Sequence, residues 1–241
     1  MDKRFIEVYS FDSRSLAFFR IGLGILLILD ILNRGRDLKA HYTSDGVLSL
    51  NVLLEKFSNS NHISVYFLND SFIFVLFLFI VSFIFAVMLT LGYKTKVATI
   101  ASWFLLISLH NRNPAVLQGG DILFRVLLFF AIFLPLEKSF SLDAKKKKDK
   151  KNYLIFSVFT IGLIFQIIFF YLFTAFLKTG SEWWPDGTAI YYALSIDQFT
   201  THFGYFVYQF PLFMKFLTYF ILFYWYIGPF LLLIPFLFSE I

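Results

Sequence analysis

Lys178 follows directly on a long apolar run and is followed at short distance by Trp183-Trp184. A lysine in an apolar, aromatic setting loses hydration, and desolvation disfavours the ammonium form. The neutral amine then becomes available as a general base or as a group that activates a substrate. The plainer alternative is an interfacial anchor, because tryptophan favours the headgroup layer and lysine snorkels to it. A second set of candidates lies in Ser108–Arg125, a connector between two apolar segments. It packs His110, Asn111, Arg112, Asn113, Gly119-Gly120, Asp121 and Arg125 between runs that otherwise suit lipid. Asp30 interrupts the first apolar run at a similar depth. Ionisable groups at membrane depth are expensive and are functional candidates by default.

The spacing of these groups suggests how they meet. Gly119-Gly120 makes a turn and Asp121 is expected as N-cap of the helix that follows. Arg125 lies one helical turn on, in the favourable acid-then-base order. An Asp30–Arg125–Asp121 network is therefore expected, either shaping a pocket or simply neutralising charge and fixing helix register. Arg20 is expected to pin the first helix or to snorkel. His41-Tyr42 offers either a proton-transfer pair or a plain loop histidine.

The elements that must position these residues are membrane helices. The chain has 241 residues, 59% apolar and 15% charged, against about 25% charged in soluble domains. Six spans are expected, at Leu16–Leu32, Ser71–Leu91, Val97–Leu109, Ile122–Leu136, Tyr153–Leu177 and Leu212–Phe238, the last bent by Pro229 and Pro235. The predicted fold is a single all-α integral membrane domain over residues 1–241, a bundle of about six transmembrane helices with short interfacial helices on the non-cytoplasmic side. The stretch after Ser44-Asp45-Gly46 is too short to span and is expected to pack over the bundle mouth. Thr188–Leu194 is expected to lie along the membrane surface. The polar first residues, with no small-residue cleavage site after the first apolar run, point to an uncleaved first span.

Lysine and arginine set the orientation. With the N-terminus cytoplasmic, that side carries twelve of these residues, including the run Lys145–Lys151, against seven on the other. Both termini are then cytoplasmic, and the loops richest in unusual residues face outward. The basic excess sits beside spans rather than along a groove with interleaved aromatics, which excludes nucleic acid as the expected partner. The bilayer is the expected partner instead. The absence of cysteine excludes disulfides and thiolate sites, and the four histidines (His41, His62, His110, His202) lack ligand spacing, so no metal is expected.

Taken in order, Phe18–Leu32 with its Arg-Ile-Gly and Asp, His41–Leu48, Ser108–Leu136, Ser141–Asp143 and Lys178–Ala189 resemble the HTTM (horizontally transferred transmembrane) domain family, related to the vitamin K-dependent γ-carboxylase. The resemblance implies a helical membrane bundle, bacterial in this setting, with its site on the outer or lumenal face. In the carboxylase a lysine just after a membrane helix deprotonates vitamin K hydroquinone. Oxygenation then yields a base strong enough to take a γ-proton from glutamate, and the carbanion captures CO2. By resemblance Lys178 is the catalytic lysine, assisted by His110. Trp183 or Trp184 would border vitamin K hydroquinone or another quinol, while Asp30, Arg112, Asp121 and Arg125 are the pocket charges. A secreted peptide or protein is the implied substrate. Two departures argue against glutamyl-peptide carboxylation. The carboxylase continues into a large lumenal domain, whereas this chain ends at Ile241, as a fragment or minimal member would. Tyr224–Pro229 also lacks the acidic residue that family members often place before the proline. The alternative is a non-catalytic membrane protein assisting maturation or export of a secreted peptide.

Overall fold

The computed structural model describes residues 10–56, 63–146, 153–197 and 200–236. The chain divides into two compact units, Met1–Thr160 and Ile161–Ile241.

In the first unit a short strand, β1 (Phe11–Asp12), leads into α1 (Ser13–Gly35). The Asp12 side chain caps the helix by accepting from the Arg14 N–H at 2.8 Å. The helix outruns the expected span at both ends, so Arg34 falls inside it. After α2 (Leu38–Tyr42) and α3 (Leu50–Lys56) come α4 (Phe72–Leu91), α5 (Thr95–Arg112), α6 (Gly119–Phe133) and α7 (Leu142–Lys146). Helix α1 packs on α4, α4 on α5, and α5 on α6. Gly24 makes the first of these contacts close: a Cβ there would run into the side chain and backbone of Thr90 on α4.

The all-α expectation meets one exception. Leu154–Ile155 forms a strand, β2, antiparallel to β1, with Phe11 opposite Ile155 and Asp12 opposite Leu154. The Ser13 N–H extends the ladder to the Tyr153 carbonyl at 2.7 Å. Those backbone groups are committed to the ribbon, so the helix expected from Tyr153 begins only at Val158.

The second unit takes up most of α8 (Val158–Phe176) and continues through α9 (Ala189–Leu194), α10 (His202–Tyr208) and α11 (Pro211–Ile227). Beyond Ile227 the chain tightens into a 3₁₀ turn over Gly228–Phe236, where Pro229 has no N–H to continue the α-helical ladder.

Four helical segments are long and apolar enough to cross a membrane: Ser13–Gly35, Phe72–Leu91, Val158–Phe176 and Pro211–Leu233. Large apolar side chains such as Phe77, Ile80, Phe169, Phe173 and Phe220 stand exposed along them. In water that surface would be a severe liability; in lipid it is the solvent-facing side. The protein is a membrane protein. Helices α5 and α6 differ: the first ends in His110-Asn111-Arg112, and the second, at 15 residues, reaches only about 22 Å.

At one end of α1 the chain is locked by Arg20, which is completely buried rather than snorkelling. Its Nη2 donates to the Phe140 carbonyl at 2.6 Å. Beneath it Gly92 ends α4 at φ +67° with its N–H on the Leu89 carbonyl, and Tyr93 N–H reaches Met88 O, closing the helix in a left-handed cap. Asp143 holds the next helix start. It accepts from the N–H of Lys94 and Thr95 and from the Thr95 hydroxyl at 2.8–3.0 Å, while its own N–H bonds Gly92 O. The lysines from Lys147 to Lys151, like His62 and Phe238, lie outside the described residues.

Two glycines should therefore respond oppositely to alanine. Gly92→Ala places a Cβ against Arg20 Nη1 and Ser141 at a positive φ, and should lower the thermal midpoint of the detergent-solubilised protein. Gly22→Ala, inside α1 with no atom within 4 Å of the added Cβ, should be neutral or stabilising by about 0.5–1 kcal/mol. Differential scanning calorimetry of the two variants checks the ranking.

Candidate functional site

The far end of α1 gathers charge. Arg34 donates through Nε to Asp30 Oδ1 at 2.8 Å, through Nη1 to the Tyr42 hydroxyl oxygen at 3.1 Å, and through Nη2 to Asp121 Oδ1 at 2.6 Å. One helical turn separates Asp30 from Arg34, so α1 supplies both and α2 brings Tyr42 over them. Burial pushes the Tyr42 phenol above its ordinary value, although the Arg34 guanidinium pulls the other way, so this hydroxyl stays protonated at neutral pH. The cation between the two carboxylates is thus Arg34. Arg125, expected there, makes no ion pair among the described residues. Asp121 is also not the N-cap. Gln118 holds that position, and Asp121 sits in the first turn, accepting the Gln118 N–H on Oδ2 at 2.8 Å. A carboxylate there is favoured by the free N–H groups and the helix dipole.

His110 is fully buried behind this carboxylate, its Nε2 3.7 Å from Asp121 Oδ1, and neither ring nitrogen has a hydrogen-bond partner among the described residues. Together Asp30, Arg34, Asp37, His41, Tyr42 and Asp121 contribute walls to a cavity of about 360 Å³.

Asn111, Arg112 and Asn113 work as a clamp. Asn111 Nδ2 donates to the Ile63 carbonyl at 2.8 Å, Arg112 Nη1 to Leu48 at 3.0 Å and Asn113 Nδ2 to His41 at 2.9 Å. Ser64 Oγ adds a bond to the Ser108 carbonyl at 2.6 Å. Three consecutive side chains thus satisfy backbone carbonyls in the segment joining α1 to α4, which cannot supply its own partners. Arg112 is completely buried in doing so.

Lys178 and the tryptophans belong to the second unit and His110 to the first. Lys178 comes directly after α8, its N–H bonded to Ala175 O at 3.0 Å. Its Nζ lies over the Trp183 ring at 4.7 Å from the centroid and over Trp225 at 5.8 Å. Trp184 turns away, packs on Tyr219 at 5.4 Å between centroids, and is 69% exposed. Trp183 is therefore the neighbour of Lys178, and Trp225 on α11 is a partner that spacing could not reveal. Ring faces carry negative quadrupole density and attract an ammonium. Among the described residues no group of three or more His, Asp or Glu could hold a metal ion.

A helical membrane protein with polar side chains concentrated at helix ends and in the connections between them is the class these features define. The HTTM domain model matches residues 9–237, and the chain belongs to that family. It is also similar to the sporulation-delaying protein SdpB of Bacillus subtilis (strain 168), 25% identical over 197 residues. That match covers 79% of this chain and 58% of SdpB, so the chain spans little more than half of that relative's length. No solved structure matches the chain.

The two arginines near Asp121 give a direct contrast. Arg34→Gln leaves two mostly buried carboxylates facing each other without their cation and should cost about 3–5 kcal/mol. Arg125→Gln should stay within about 0.5 kcal/mol of the parent. Thermal or denaturant unfolding in detergent measures both.

Proposed function

We propose that this protein is a six-crossing membrane enzyme acting on a lipid-soluble quinol, with Lys178 as the base. The observation that carries the reading is the placement of Lys178 Nζ over Trp183 and Trp225 directly after a membrane-length helix. Flat aromatic walls beside a single amine fit a planar, apolar substrate with one hydroxyl to be deprotonated. A quinol such as vitamin K hydroquinone would supply that hydroxyl and the reducing electrons. Lys178 takes the proton at Nζ, and the two ring faces then stabilise the resulting ammonium. Trp183 and Trp225 also exclude water from one side of the amine. Trp184, packed on Tyr219, contributes to the loop that holds Trp183 in place. Asp30, Asp121 and Arg125, with Arg112 and His110, shape the polar region of the first unit, and Arg34 organises it. A secreted peptide or protein is the proposed acceptor of the chemistry.

In this reading α5 and α6 complete the set of crossings, both termini are cytoplasmic, and Arg34, Asp121 and Lys178 face the non-cytoplasmic side. The lysine and arginine distribution supports that orientation. A second reading is non-catalytic assistance to maturation or export of a secreted peptide.

Purified protein supplied with vitamin K hydroquinone, O2 and CO2 should form quinone epoxide, and Lys178→Ala should reduce the rate about 100-fold or more. No epoxide from the parent protein removes the quinol reading and leaves the second; equal rates remove Lys178 as the base. Orientation is measured separately in this cysteine-free chain. A cysteine at Ser44 should label from outside intact cells and one at Lys147 should not, and the reverse pattern would invert the topology.

A further inference from the structure

We infer that the α4–α5 turn and the segment from Lys138 to Lys145 form a docking surface for the headgroups of anionic phospholipids. The surface lies wholly in the first unit, at the Arg20 end of α1. It depends neither on the role of Lys178 nor on which leaflet it meets. Its construction starts from Asp143, whose carboxylate accepts the Lys94 and Thr95 N–H groups at 3.0 and 2.8 Å. Those bonds lay the segment against the turn, so Lys94 and Lys145 arrive on one face from distant stretches of the chain. Both are exposed, as is Lys138, and none of the three makes an ion pair among the described residues. Lys94 Nζ lies over the Tyr93 ring, 5.9 Å from its centroid.

Between the lysines the same segment turns apolar side chains outward. Phe140 is 60% exposed and Leu142 is 37% exposed. Phe140 also holds φ at +48°, a left-handed conformation that bulky side chains rarely adopt. Arg20 fastens it there by donating to the Phe140 carbonyl at 2.6 Å. Backbone strain of this kind persists only where its surroundings impose it. In that conformation the ring lies against Phe18, 5.7 Å between centroids, and Phe18 is itself exposed on α1. The segment thus continues the lipid-facing side of a membrane-length helix.

The chain also sets the depth. Membrane-length α4 closes at Leu91 and the turn begins at Gly92, so Lys94 stands within three residues of the helix end. Phe140 and Leu142 then meet the outer part of the acyl layer, and the lysine stems carry their ammonium groups to the phosphates. A zwitterionic headgroup largely cancels its phosphate with its own cation. An anionic headgroup leaves that charge to the lysines. A soluble polyanion would satisfy the lysines but leave Phe140 and Leu142 in water.

The test is native mass spectrometry of the detergent-solubilised full chain, titrated with phosphatidylglycerol and with phosphatidylcholine of the same acyl chains. Phosphatidylglycerol should bind more tightly. Lys94→Gln and Lys145→Gln should each weaken it about fivefold, the worth of one lysine at an anionic surface, and leave phosphatidylcholine unchanged. Both lysines are exposed, so these variants keep the fold. The preference should survive conversion of Lys147, Lys148, Lys150 and Lys151 to glutamine, which separates the surface from the neighbouring lysine run. A nitroxide on Phe140→Cys in this cysteine-free chain should be relaxed by oxygen dissolved in the bilayer more than by a water-soluble nickel chelate. Equal binding of the two lipids, an unchanged preference in both lysine variants, or its loss only with the lysine run overturns the inference. So does displacement of the lipid by glycerol phosphate, or a nitroxide relaxed chiefly from water.

Discussion

A guanidinium sealed between two carboxylates constrains more of the first unit than any apolar contact does. Arg34 is 11% exposed at its side chain, with Asp30 and Asp121 close behind at 21% and 14%. In such surroundings an unpaired charge costs several kcal/mol, whereas apolar repacking by one methylene costs about one. The three side chains must therefore meet, and their meeting dictates three pieces of backbone. Helix α1 has to continue to Gly35 so that Arg34 faces Asp30. Helix α2 has to return Tyr42 over the guanidinium. Helix α6 has to begin where its first turn brings Asp121 to Nη2. Apolar side chains in lipid slide past one another at little cost, since lipid is as apolar as they are. Charge pairing does not slide.

The same device recurs at the other end of α1. Arg20 and Arg34 are fourteen residues apart, about 21 Å along the axis, and each reaches across to a distant segment. Arg20 holds Phe140 beside the left-handed cap at Gly92, and Asp143 fixes the start of α5 from the same segment. Helix α1 acts as a strut with an arginine fastening the loops at each end. Between them it offers Leu23, Leu27 and Ile31 to the core and carries the tight Gly24 contact with α4. Loops that would otherwise expose backbone carbonyls are secured by side chains, as the run from Asn111 to Asn113 shows most plainly.

Much of this was legible in the residues, but not uniformly. Long apolar runs announce membrane helices because hydropathy is a property of composition, and the runs at α1, α4, α8 and α11 all form helices. Register and ends were harder. The polar Asn33-Arg34 pair looked like loop, whereas the acid-then-base spacing from Asp30 to Arg34 was a helix signal that could have placed Arg34 in the network. The choice between Arg34 and Arg125 was not available from spacing, because it depends on which helix end meets Asp121 in three dimensions. The start of α8 was missed for a similar reason: Leu154 and Ile155 are as apolar as a helix requires, and only pairing with Phe11 and Asp12 makes them a strand. Aromatic richness hid Trp225 entirely. In a chain with 36 phenylalanines, one ring beside a lysine carries no signal until the fold selects it.

The two polar regions use charge in opposite ways. Around Arg34 the cation is spoken for by hydrogen bonds on every nitrogen, while carboxylate oxygen remains in hand. Such a cluster is poorly placed to give up a proton and well placed to hold backbone. Lys178 has the reverse character. Its partners are ring faces, which attract positive charge without directional hydrogen bonds. Directional hydrogen bonds fix the segments around Arg34, whereas ring faces attract an ammonium without fixing its orientation.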